Sequence, residues 1–368
     1  MVVLTVNTGS SSIKLAAFAS DATGLRVCGA ARYESNTTDP CARLKIFMEQ
    51  HAIVPPQLIA HRVVHGGAHL TSSRRIDAAV EAEIERIAPL APLHNPLALA
   101  WIRACRTVLG PEVPQVAVFD TAFYASLPEV AATYALPQEL STRHSLRRYG
   151  FHGLAHQAMC RRWQALHPEI RGGGRVISFQ LGAGCSVTAS DWGIARDTSM
   201  GFSPLEGLVM ATRSGDVDPG LVTYLQQVES LSAEEVARLL NHQSGLLGVS
   251  GLSADMRELL ATDDPRARLA VALYCYRARK YLGAYLAVLG GADAILFGGG
   301  VGENAAAVRA EILGGLEWTG IHLDAAANLA SAGREGCIST PDSRIQVWVI
   351  PVDEAQILAQ EALAVMAA

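Results

Sequence analysis

Two arginines of this sequence lie where a bound anion would suit them. Arg62 lies inside the apolar run 61–65 (HRVVH), and a charged side chain in such a strand requires a counter-charge. Arg213 lies in the segment 212–216 (TRSGD), where a surface salt bridge with a nearby aspartate is the alternative to a ligand contact. A guanidinium holds carboxylate or phosphoryl oxygens in a bidentate manner, which lysine cannot do. We interpret Arg62 as a ligand-binding residue and keep both interpretations of Arg213.

Glycine-rich turns follow three apolar strands, at residues 9–12 (GSSS), 182–184 (GAG) and 298–304 (GGGVGEN). Such turns present successive backbone N–H groups and short hydroxyls to one point, which suits a phosphate. The first turn is not a Walker A loop, because the Gly-Lys-Ser/Thr end and the following helix are missing. One such turn alone could be an ordinary polar hairpin. Three glycine loops together favour phosphate binding.

Three further residues are candidate site residues only because the arginines and the glycine turns occur in the same sequence. Asp120 follows the buried strand 116–119, and ligands of open α/β sheets lie at the carboxyl ends of strands. The alternative for Asp120 is an N-cap of the next segment. His152 lies within the motif 149–153 (YGFHG), and most single histidines are structural. Glu354 opens the last helix, where carboxylates most often interact with the helix dipole.

The elements that position these residues follow a repeated plan. Residues 2–18 and 176–189 both show an apolar strand, a small-residue turn and a second strand, half a chain apart. This repetition predicts a duplicated α/β core that holds a nucleotide between its halves. Periodicity predicts further strands at 25–33, from Leu58 onward, and at 116–119, 294–297 and 346–350. It predicts helices at 39–51, 78–88, 97–109, 154–166, 221–228, 233–241, 269–289 and 355–366.

Composition narrows the classes of protein. The 368 residues suffice for two domains with sizeable cores, and half of them are hydrophobic against 18% charged, which is typical of a soluble globular protein. A net charge of −5 argues against a nucleic-acid partner. The N-terminus has no basic region or cleavage site, and no apolar run reaches membrane-spanning length. Seven scattered cysteines, without a CxxC pair, indicate reduced thiols in a cytoplasmic protein rather than metal ligands.

The ordered set of motifs resembles that of the acetate kinase family and spans nearly the whole chain. The matching segments are 7–14 (NTGSSSIK), 61–67 (HRVVHGG), 91–96 (APLHNP), 119–123 (FDTAF), 149–153 (YGFHG), 212–216 (TRSGD) and 299–304 (GGVGEN). The resemblance implies the duplicated ribonuclease-H-like fold of the actin/Hsp70/sugar-kinase group, with two domains and an active-site cleft between them. It implies an acid-binding and phosphate-loop domain of residues 1–120 plus 356–368, and a nucleotide-binding domain of residues 121–355.

The resemblance also implies an activity and its participants. These are reversible transfer of the γ-phosphoryl group of ATP to a short carboxylate, acetate preferred, with Mg²⁺ or Mn²⁺, in a homodimer. It assigns catalysis to Arg62, Asp120, His152 and Arg213, with Arg62 also binding the acid. It places the acyl pocket at Val64, Leu93, Phe151 and Pro204, and the metal at Asn7 and Glu354. It assigns ATP binding to Ser12, Lys14, Gln180, Leu181, Gly182, Ala183, Gly184, Asp255, Met256, Arg257, Gly300, Val301, Gly302, Glu303 and Asn304.

Elementary chemistry is consistent with this activity. A carboxylate is already ionised at pH 7, so as a nucleophile it needs no general base. It needs cations and alignment against an anionic phosphoryl group, and two arginines suit that need. An apolar pocket discriminates acids by only about 1–3 kcal/mol per methylene, so the choice between acetate and propionate stays open.

The sequence departs from the family at residues 180–184. This chain reads QLGAG where the family usually has HLGNG, so Gln180 carries no charge and Ala183 has no side-chain donor. Loss of one preorganised donor can cost roughly 10²–10³ in rate. Two alternatives therefore stay open: a kinase that uses another acid (propionate or butyrate) or another phosphoryl donor, and a catalytically impaired nucleotide-binding module. The chain is also somewhat short for the family.

Overall fold

A computed structural model describes residues 1–9, 12–22, 24–34, 39–92 and 94–367 of the chain. The chain forms two compact units. The first contains Met1–Ala125, Phe151–Leu154 and Asp353–Ala368, and the second contains Ser126–Gly150 and Ala155–Val352. The first unit is thus built from three separate stretches of the sequence.

The first unit contains a six-stranded mixed sheet. Its strands are β1 (Val2–Thr8), β2 (Ser12–Asp21), β3 (Gly24–Glu34), β4 (Leu58–Val63), β5 (Arg74–Arg75) and β6 (Gln115–Phe119). Their spatial order is β3-β2-β1-β4-β6-β5. Strands β1 to β3 form an antiparallel meander, β4 and β6 run parallel to β1, and β5 is antiparallel to β6.

The second unit repeats this sheet. Its strands are β7 (Arg175–Leu181), β8 (Cys185–Asp191), β9 (Ile194–Thr198), β10 (Ala294–Gly298), β11 (Gly336–Cys337) and β12 (Gln346–Val349). Their spatial order is β9-β8-β7-β10-β12-β11, with the same sequence of antiparallel and parallel neighbours as in the first sheet. The predicted duplication of an α/β core is therefore confirmed, down to the short antiparallel edge strand of each half.

The helices lie between and after the strands in the sequence. They are α1 (Pro40–Gln50), α2 (Ala78–Arg86), α3 (Asn95–Leu109), α4 (Glu129–Ala132), α5 (Gln138–His144), α6 (Gly153–Leu166), α7 (Pro219–Val228), α8 (Ala233–His242), α9 (Gly245–Ser250), α10 (Met256–Leu260), α11 (Pro265–Leu289), α12 (Gly299–Asn304), α13 (Ala306–Leu313), α14 (Ala325–Ala330) and α15 (Glu354–Ala367). Short 3₁₀ helices occur at Ala88–Leu90, Asp120–Tyr124, Arg171–Gly173 and Glu317–Thr319. In the described part of the chain, no helix is long and apolar enough to cross a membrane.

Buried apolar side chains on both faces of the first sheet explain why its central strands read as continuous hydrophobic runs. On one face, Leu4 and Ile59 pack in a cluster with Phe47 of α1 and Trp101 of α3. A second cluster on the same face joins β4 and β6 to α2 and α3. The alternate residues of β4, Leu58 and Ala60, point to the other face and are fully buried as well. Full burial of each such side chain contributes roughly 1.5–3 kcal/mol. This packing fixes the carboxyl ends of β1, β4 and β6 at one edge of the sheet, because the three strands are parallel.

One predicted element is wrong. The glycine run at residues 298–304 was expected to be a loop, but Gly298 ends β10 and the next six residues form α12. Gly299 has φ +77°, which allows the chain to turn directly from the strand into the helix. The glycine run is therefore a tight strand-to-helix connection, with no separate loop.

Candidate active site

Three polar residues of the first unit meet at the carboxyl edge of its sheet. Asn7 lies near the end of β1 and Arg62 near the end of β4, directly opposite each other in the parallel register. Asp120 follows β6 immediately and is fully buried. The topology of parallel neighbours thus brings together residues that lie far apart in sequence, and it places Asp120 at a strand end as predicted.

The guanidinium of Arg62 is held on two sides. Its Nη2 donates to Oδ2 of Asp120 at 2.6 Å, and its Nε lies 3.2 Å from each carboxylate oxygen of that residue. Its Nη1 donates to Oδ1 of Asn7 at 3.1 Å. Asp120 therefore supplies the counter-charge that Arg62 requires, and its carboxylate is not the N-cap of the following segment. The prediction that Arg62 also contacts a ligand stays a prediction.

Glu354 completes this group from the other end of the chain. It is the first residue of α15, and its Oε2 accepts a hydrogen bond of 2.6 Å from Nδ2 of Asn7. The same oxygen lies 3.9 Å from Nη1 of Arg62. Two carboxylates and one amide thus surround a single guanidinium.

Burial and charge shift the pKa values of this group in different directions. Burial alone would lower the pKa of Arg62, but Asp120 and Glu354 outweigh it and raise that pKa above its ordinary value. Burial raises the pKa of Asp120, against the opposing charge of Arg62. For Glu354, burial is outweighed by the nearby charges of Arg62 and Lys14, and the pKa is lowered. Arg62 and Glu354 therefore stay charged at neutral pH.

The donor set suits a magnesium ion bound mainly through water and phosphate. Among the described residues, no group of three or more histidine, cysteine, aspartate or glutamate side chains is placed to hold a metal alone. Mg²⁺ usually takes only one or two protein carboxylates and keeps waters or substrate phosphates as its other ligands. Asn7, Asp120 and Glu354 supply oxygens of that kind, so the residues fit the predicted ion.

His152 is positioned by a strained turn. Its backbone has φ +57°, in the left-handed region that few residues other than glycine adopt. The next residue must be glycine, because a Cβ at Gly153 would lie 1.9 Å from the carbonyl oxygen of Asp120. The carboxylate of Asp120 also accepts a hydrogen bond from the backbone of Leu154. His152 and Asp120 therefore belong to one tightly packed corner of the first unit.

The residues predicted for the acyl pocket are divided between the two units. Val64 and Phe151 are buried in the first unit. The rings of Phe151 and His65 meet edge to face, with their centroids 5.5 Å apart. Pro204 belongs to the second unit. Leu93 lies outside the described residues.

The first glycine turn joins β1 to β2. Ser12 begins β2, and the backbone N–H of Gly9 donates to the carbonyl oxygen of Ser12 at 2.9 Å. The side chain of Lys14 is exposed.

In the second unit, the turn after β7 has the predicted form. Gly182 donates its N–H to the carbonyl oxygen of Gly184 at 3.1 Å, and Leu181 before it is buried. The side-chain oxygen of Gln180 is buried and has no hydrogen-bond partner among the described residues. A buried amide oxygen without a partner costs about 1–3 kcal/mol, and a bound ligand could relieve that cost.

Arg213 lies beside this turn and differs from Arg62 in one respect. Within the described ranges no carboxylate lies within ion-pair distance, so the surface salt bridge considered for it is wrong. Its Nη1 donates instead to the carbonyl oxygen of Pro204 at 2.9 Å. Burial lowers its pKa from the ordinary value. Its neighbour Ala211 donates to the carbonyl oxygen of Ala183 at 3.1 Å, which joins the Arg213 segment to the Gln180–Gly184 turn.

The start of α12 packs against the same turn. A Cβ at Gly299 would lie 2.6 Å from the carbonyl oxygen of Leu181, so only glycine allows this approach. The side chain of Glu303 folds back to accept from the backbone of Gly299 at 2.9 Å. The side chain of Asn304 donates to the carbonyl oxygen of Gly300 at 2.9 Å. Val301 and Gly302 lie within the helix, and Gly302 is buried.

Asp255 and Arg257 pair with each other. Asp255 caps α10 and accepts from the guanidinium of Arg257 at 2.5 Å, which lowers the pKa of Asp255 to about 2. Both side chains of the pair are accessible, whereas Met256 between them is buried. The structure thus gives these residues a local role in the helix start, and their predicted contact with the nucleoside stays a prediction.

Sequence reasoning missed residues that support these elements from a distance. Arg309 is fully buried and donates to the carbonyl oxygens of Gly302 and Glu303 at 2.8 and 2.9 Å, so it holds the end of α12. Burial lowers its pKa to about 10. An arginine within the apolar helix segment 306–313 (AAVRAEIL) is a signal that could have found it. Tyr274 donates toward the thiol of Cys185 across 3.2 Å, and no local pattern predicts that pair.

Comparison with known proteins identifies the family of this chain. Residues 41–360 match the sequence model of the Acetokinase family. An acetate kinase of Chloroherpeton thalassium is 50% identical over 308 residues, which cover 82% of this chain and 74% of that protein. The crystal structure of Porphyromonas gingivalis acetate kinase matches with a TM-score of 0.90 at 36% identity, covering 99% of both chains. A propionate kinase structure from Francisella tularensis matches equally well, with a TM-score of 0.90, 36% identity and 99% coverage of both chains. The expected α/β fold is confirmed, and the chain belongs to the acetokinase family.

Proposed function

We propose that this protein is an ATP-dependent carboxylate kinase that converts a short-chain acid, acetate by preference, to its acyl phosphate and ADP, and that the reaction runs in both directions. The observation that carries the proposal is Arg213. It is a partly buried guanidinium without a carboxylate partner in the described structure, and it is hydrogen-bonded into a segment that touches the Gln180–Gly184 turn. A desolvated cation of this kind is prepared for an anion.

The proposed reaction needs no proton transfer. One oxygen of the carboxylate attacks the γ-phosphorus of ATP, the bond between that phosphorus and the β,γ-bridging oxygen breaks, and ADP leaves with the bond electrons. The nucleophile enters already ionised at neutral pH. Catalysis then rests on charge neutralisation and alignment, as in phosphoryl transfer generally.

The residues take roles that follow from their surroundings. Arg62 is held in place by Asp120 and Asn7, and we propose that it binds the carboxylate of the acid. We propose that Arg213 stabilises the charge of the phosphoryl group in transfer and that His152 donates a hydrogen bond to the same group. Val64, Leu93, Phe151 and Pro204 are proposed to line the acyl chain.

The nucleotide is proposed to lie on the second unit. The backbone of the Gln180–Gly184 turn would meet its phosphates, with Ser12 and Lys14 of the first unit contributing at the other phosphate turn. Residues 255–257 and the segment 300–304 would hold the nucleoside. The predicted domains, residues 1–120 with 356–368 and residues 121–355, are proposed to be the acid-binding and nucleotide-binding domains.

Magnesium, or manganese in its place, is proposed as the metal. Asn7 and Glu354 would hold the ion and Asp120 would orient it and its waters. When bound, it neutralises the phosphate oxygens of ATP. The chain's own contribution is to keep Glu354 ionised, which the charges of Arg62 and Lys14 ensure.

The test is a hydroxamate assay with ATP, Mg²⁺ and straight-chain acids of two to five carbons. Acyl phosphate reacts with hydroxylamine to give a coloured hydroxamate, so every active acid is detected. We expect product with acetate and a lower kcat/KM as the chain lengthens. Absence of product with every acid contradicts the proposal. The names of the relatives include both an acetate kinase and a propionate kinase, so propionate is the essential comparison.

A different phosphoryl donor is a second candidate, and Gln180 favours it. Its side chain carries no charge toward the phosphate turn and Ala183 offers no side-chain donor there, where the family usually has a histidine and an asparagine. Replacing ATP by pyrophosphate or by other nucleotides in the same assay separates the two candidates. Faster transfer from pyrophosphate than from ATP would establish the second. Calorimetric ATP binding with no transfer from any donor would identify an impaired nucleotide-binding module instead.

Assembly and location complete the proposal. We propose a cytoplasmic homodimer, since the motif set is that of a dimeric family and large apolar side chains are exposed at Val130, Trp318 and Leu329. Sedimentation equilibrium tests the dimer, and a single species at the mass of one chain would refute it.

A further inference from the structure

The segment between β9 and α7 carries Arg213 but has no regular secondary structure of its own. Residues 199–218 contain no strand and no helix. A stretch of this length without regular backbone pairing keeps one conformation only if other contacts replace those hydrogen bonds. Side-chain contacts must therefore hold residues 199–218, and with them the Arg213 guanidinium.

Three side chains from different parts of the second unit converge on the beginning of this segment; we call them the 134/148/206 cluster (Tyr134, Arg148 and Glu206). The hydroxyl of Tyr134 donates to one carboxylate oxygen of Glu206. Nη2 of Arg148 donates to the other carboxylate oxygen at 2.6 Å. The Arg148 guanidinium also lies over the ring of Tyr134, 5.6 Å from its centroid. Each member therefore contacts both of the others.

The cluster is bonded to the backbone that precedes Arg213. Nη1 of Arg148 donates to the carbonyl oxygens of Thr198 and Ser199 at 3.1 and 3.3 Å. The hydroxyl of Tyr134 accepts from the backbone N–H of Phe202 at 2.8 Å. Glu206 itself belongs to the segment. The cluster thus fixes backbone positions on both sides of Gly201.

Gly201 shows how closely the segment is packed on the cluster. A Cβ at this position would lie 1.6 Å from Oε2 of Glu206 and 2.0 Å from the hydroxyl oxygen of Tyr134. Neither contact is tolerable for real atoms. A methyl group at this position would therefore force the Glu206 carboxylate and the Tyr134 hydroxyl to move, because the backbone lies directly against both.

The fixed backbone in turn holds the arginine. Nη1 of Arg213 donates to the carbonyl oxygen of Pro204 at 2.9 Å, two residues before Glu206. The other end of the segment is held by a separate pair of hydrogen bonds. The backbone N–H of Gly207 donates to the carboxylate of Asp216 at 2.8 Å, and the backbone N–H of Asp216 donates to the carbonyl oxygen of Gly207 at 3.0 Å. The same nitrogen of Arg213 also lies 3.6 Å from the sulfur of Met210, so its shorter hydrogen bond is to the Pro204 peptide, which lies between the backbone positions that the cluster holds.

We propose that Tyr134, Arg148 and Glu206 are positioning residues that set the place of the Arg213 guanidinium through Gly201 and the carbonyl of Pro204. The inference rests on the proposed function, because it assigns the cluster to the phosphoryl-transfer role of Arg213. None of the three needs to touch a substrate. Their contribution is to the transition state, since a displacement of about 1 Å in a catalytic group can cost about 10²-fold in rate.

The test compares Tyr134→Phe and Gly201→Ala with the controls Tyr224→Phe and Gly283→Ala. Tyr134→Phe keeps the ring and removes the hydroxyl. Tyr224 is 57% exposed and a Cβ at Gly283 meets nothing within 4 Å, so the controls change the same atoms elsewhere. We expect kcat in the hydroxamate assay to fall by about 10- to 100-fold for the cluster variants. The KM for ATP and the calorimetric Kd of ADP should stay within about threefold, and the controls should match wild type.

A double-mutant cycle with Arg213→Lys separates positioning from general destabilisation. If the cluster acts through Arg213, Tyr134→Phe costs much less in the Arg213→Lys background than in wild type, because the group it positions is already replaced. Hydroxamate accumulated over hours makes slow variants measurable. Equal losses in both backgrounds, or Tyr134→Phe indistinguishable from Tyr224→Phe, would overturn the inference. An inactive wild-type protein would instead refute the proposed function itself.

Discussion

Asn7 donates a hydrogen bond to Glu354 at 2.6 Å, although 347 positions separate the two residues in the chain. The contact places the last helix against the first strand at the edge where Arg62 and Asp120 also lie. It fixes the orientation of the Glu354 carboxylate beside the Arg62 guanidinium. Substitutions at these residues can therefore test what the group does.

Glu354→Gln should weaken the binding of Mg²⁺ without unfolding the protein. Glutamine keeps an oxygen that can accept from Asn7, but it removes the charge that the ion would meet. We expect the Mg²⁺ concentration for half-maximal rate to rise by about 10- to 100-fold. The matched control is Glu361→Gln on the same helix, whose carboxylate contacts Ser73. An unchanged Mg²⁺ dependence in Glu354→Gln would remove this residue from the metal site.

Arg62→Ala should damage both acid binding and stability. It leaves Asp120, which is fully buried, without its cation, and breaking a buried pair costs about 3–5 kcal/mol of the free energy of unfolding. The KM for acetate should rise more than kcat falls. In the double variant Arg62→Ala/Asp120→Asn, urea denaturation should show part of the stability restored, because no buried charge is left unpaired. If the single variant unfolds at the wild-type urea concentration, the ion pair is not the stabilising contact inferred here.

Unlike Arg62→Ala, Arg213→Ala should lower the rate of transfer without lowering the stability of the fold. Its guanidinium is desolvated without a carboxylate partner in the described structure, so its removal relieves a cost. We expect transfer to fall by roughly 10³–10⁵-fold, as when an arginine that stabilises the transferring phosphoryl group is lost. ADP binding should survive, and the melting temperature should stay the same or rise. Arg238→Ala, at an exposed arginine, is the control. Near-normal turnover in Arg213→Ala would refute the role proposed for this residue.

The stability of the fold should depend on pH through two buried histidines. Burial lowers the pKa of both His61 and His65 to about 4, against 6.5 for the free side chain. Between these values the unfolded chain binds more protons than the folded one. Stability is therefore fully present above about pH 6.5 and is lost as the pH falls toward 4, by up to about 1.4 kcal/mol per pH unit for each histidine.

The measurement is the urea midpoint at pH 7.5 and at pH 5. The Nε2 of His61 lies 2.6 Å from the side-chain oxygen of Gln115, whose amide nitrogen donates to Ile102. His61 is thus the donor in that contact, and a proton added at its Nδ1 would be buried without a partner among the described residues. His61→Gln should reduce the difference between the two midpoints. An identical difference in wild type and His61→Gln would show that His61 does not titrate with folding.

The sequence predicted most of what depends on local pattern. The central strands read as continuous apolar runs and the long helices have a period-3.6 pattern, and the structure confirms these elements and the two hairpins. The strand-end rule marked Asp120 as a candidate, whereas the register that joins it to Asn7 and Arg62 appeared only in the structure.

What could not be predicted depends on tertiary partners. No local signal distinguishes the Arg62 guanidinium, which has a carboxylate partner, from that of Arg213, which has none in the described structure. Glycine commonly interrupts helices, so the sequence predicts a loop after β10, whereas these residues form α12. The glycine at position 299 is explained by its close packing against Leu181, which leaves no room for a Cβ. The 134/148/206 cluster joins residues up to 72 positions apart and leaves no mark in the sequence pattern.

The path of the chain has a consequence for biosynthesis. The first unit includes Asp353–Ala368, so the ribosome must make all of the second unit before the first can be completed. Domains commonly fold in the order in which they are translated. Here the order is reversed for the final step, and a nascent chain that stops short of α15 lacks the carboxylate of Glu354 beside Arg62. A polypeptide released too early would thus lack one of the two carboxylates around Arg62, whatever the state of the part already made.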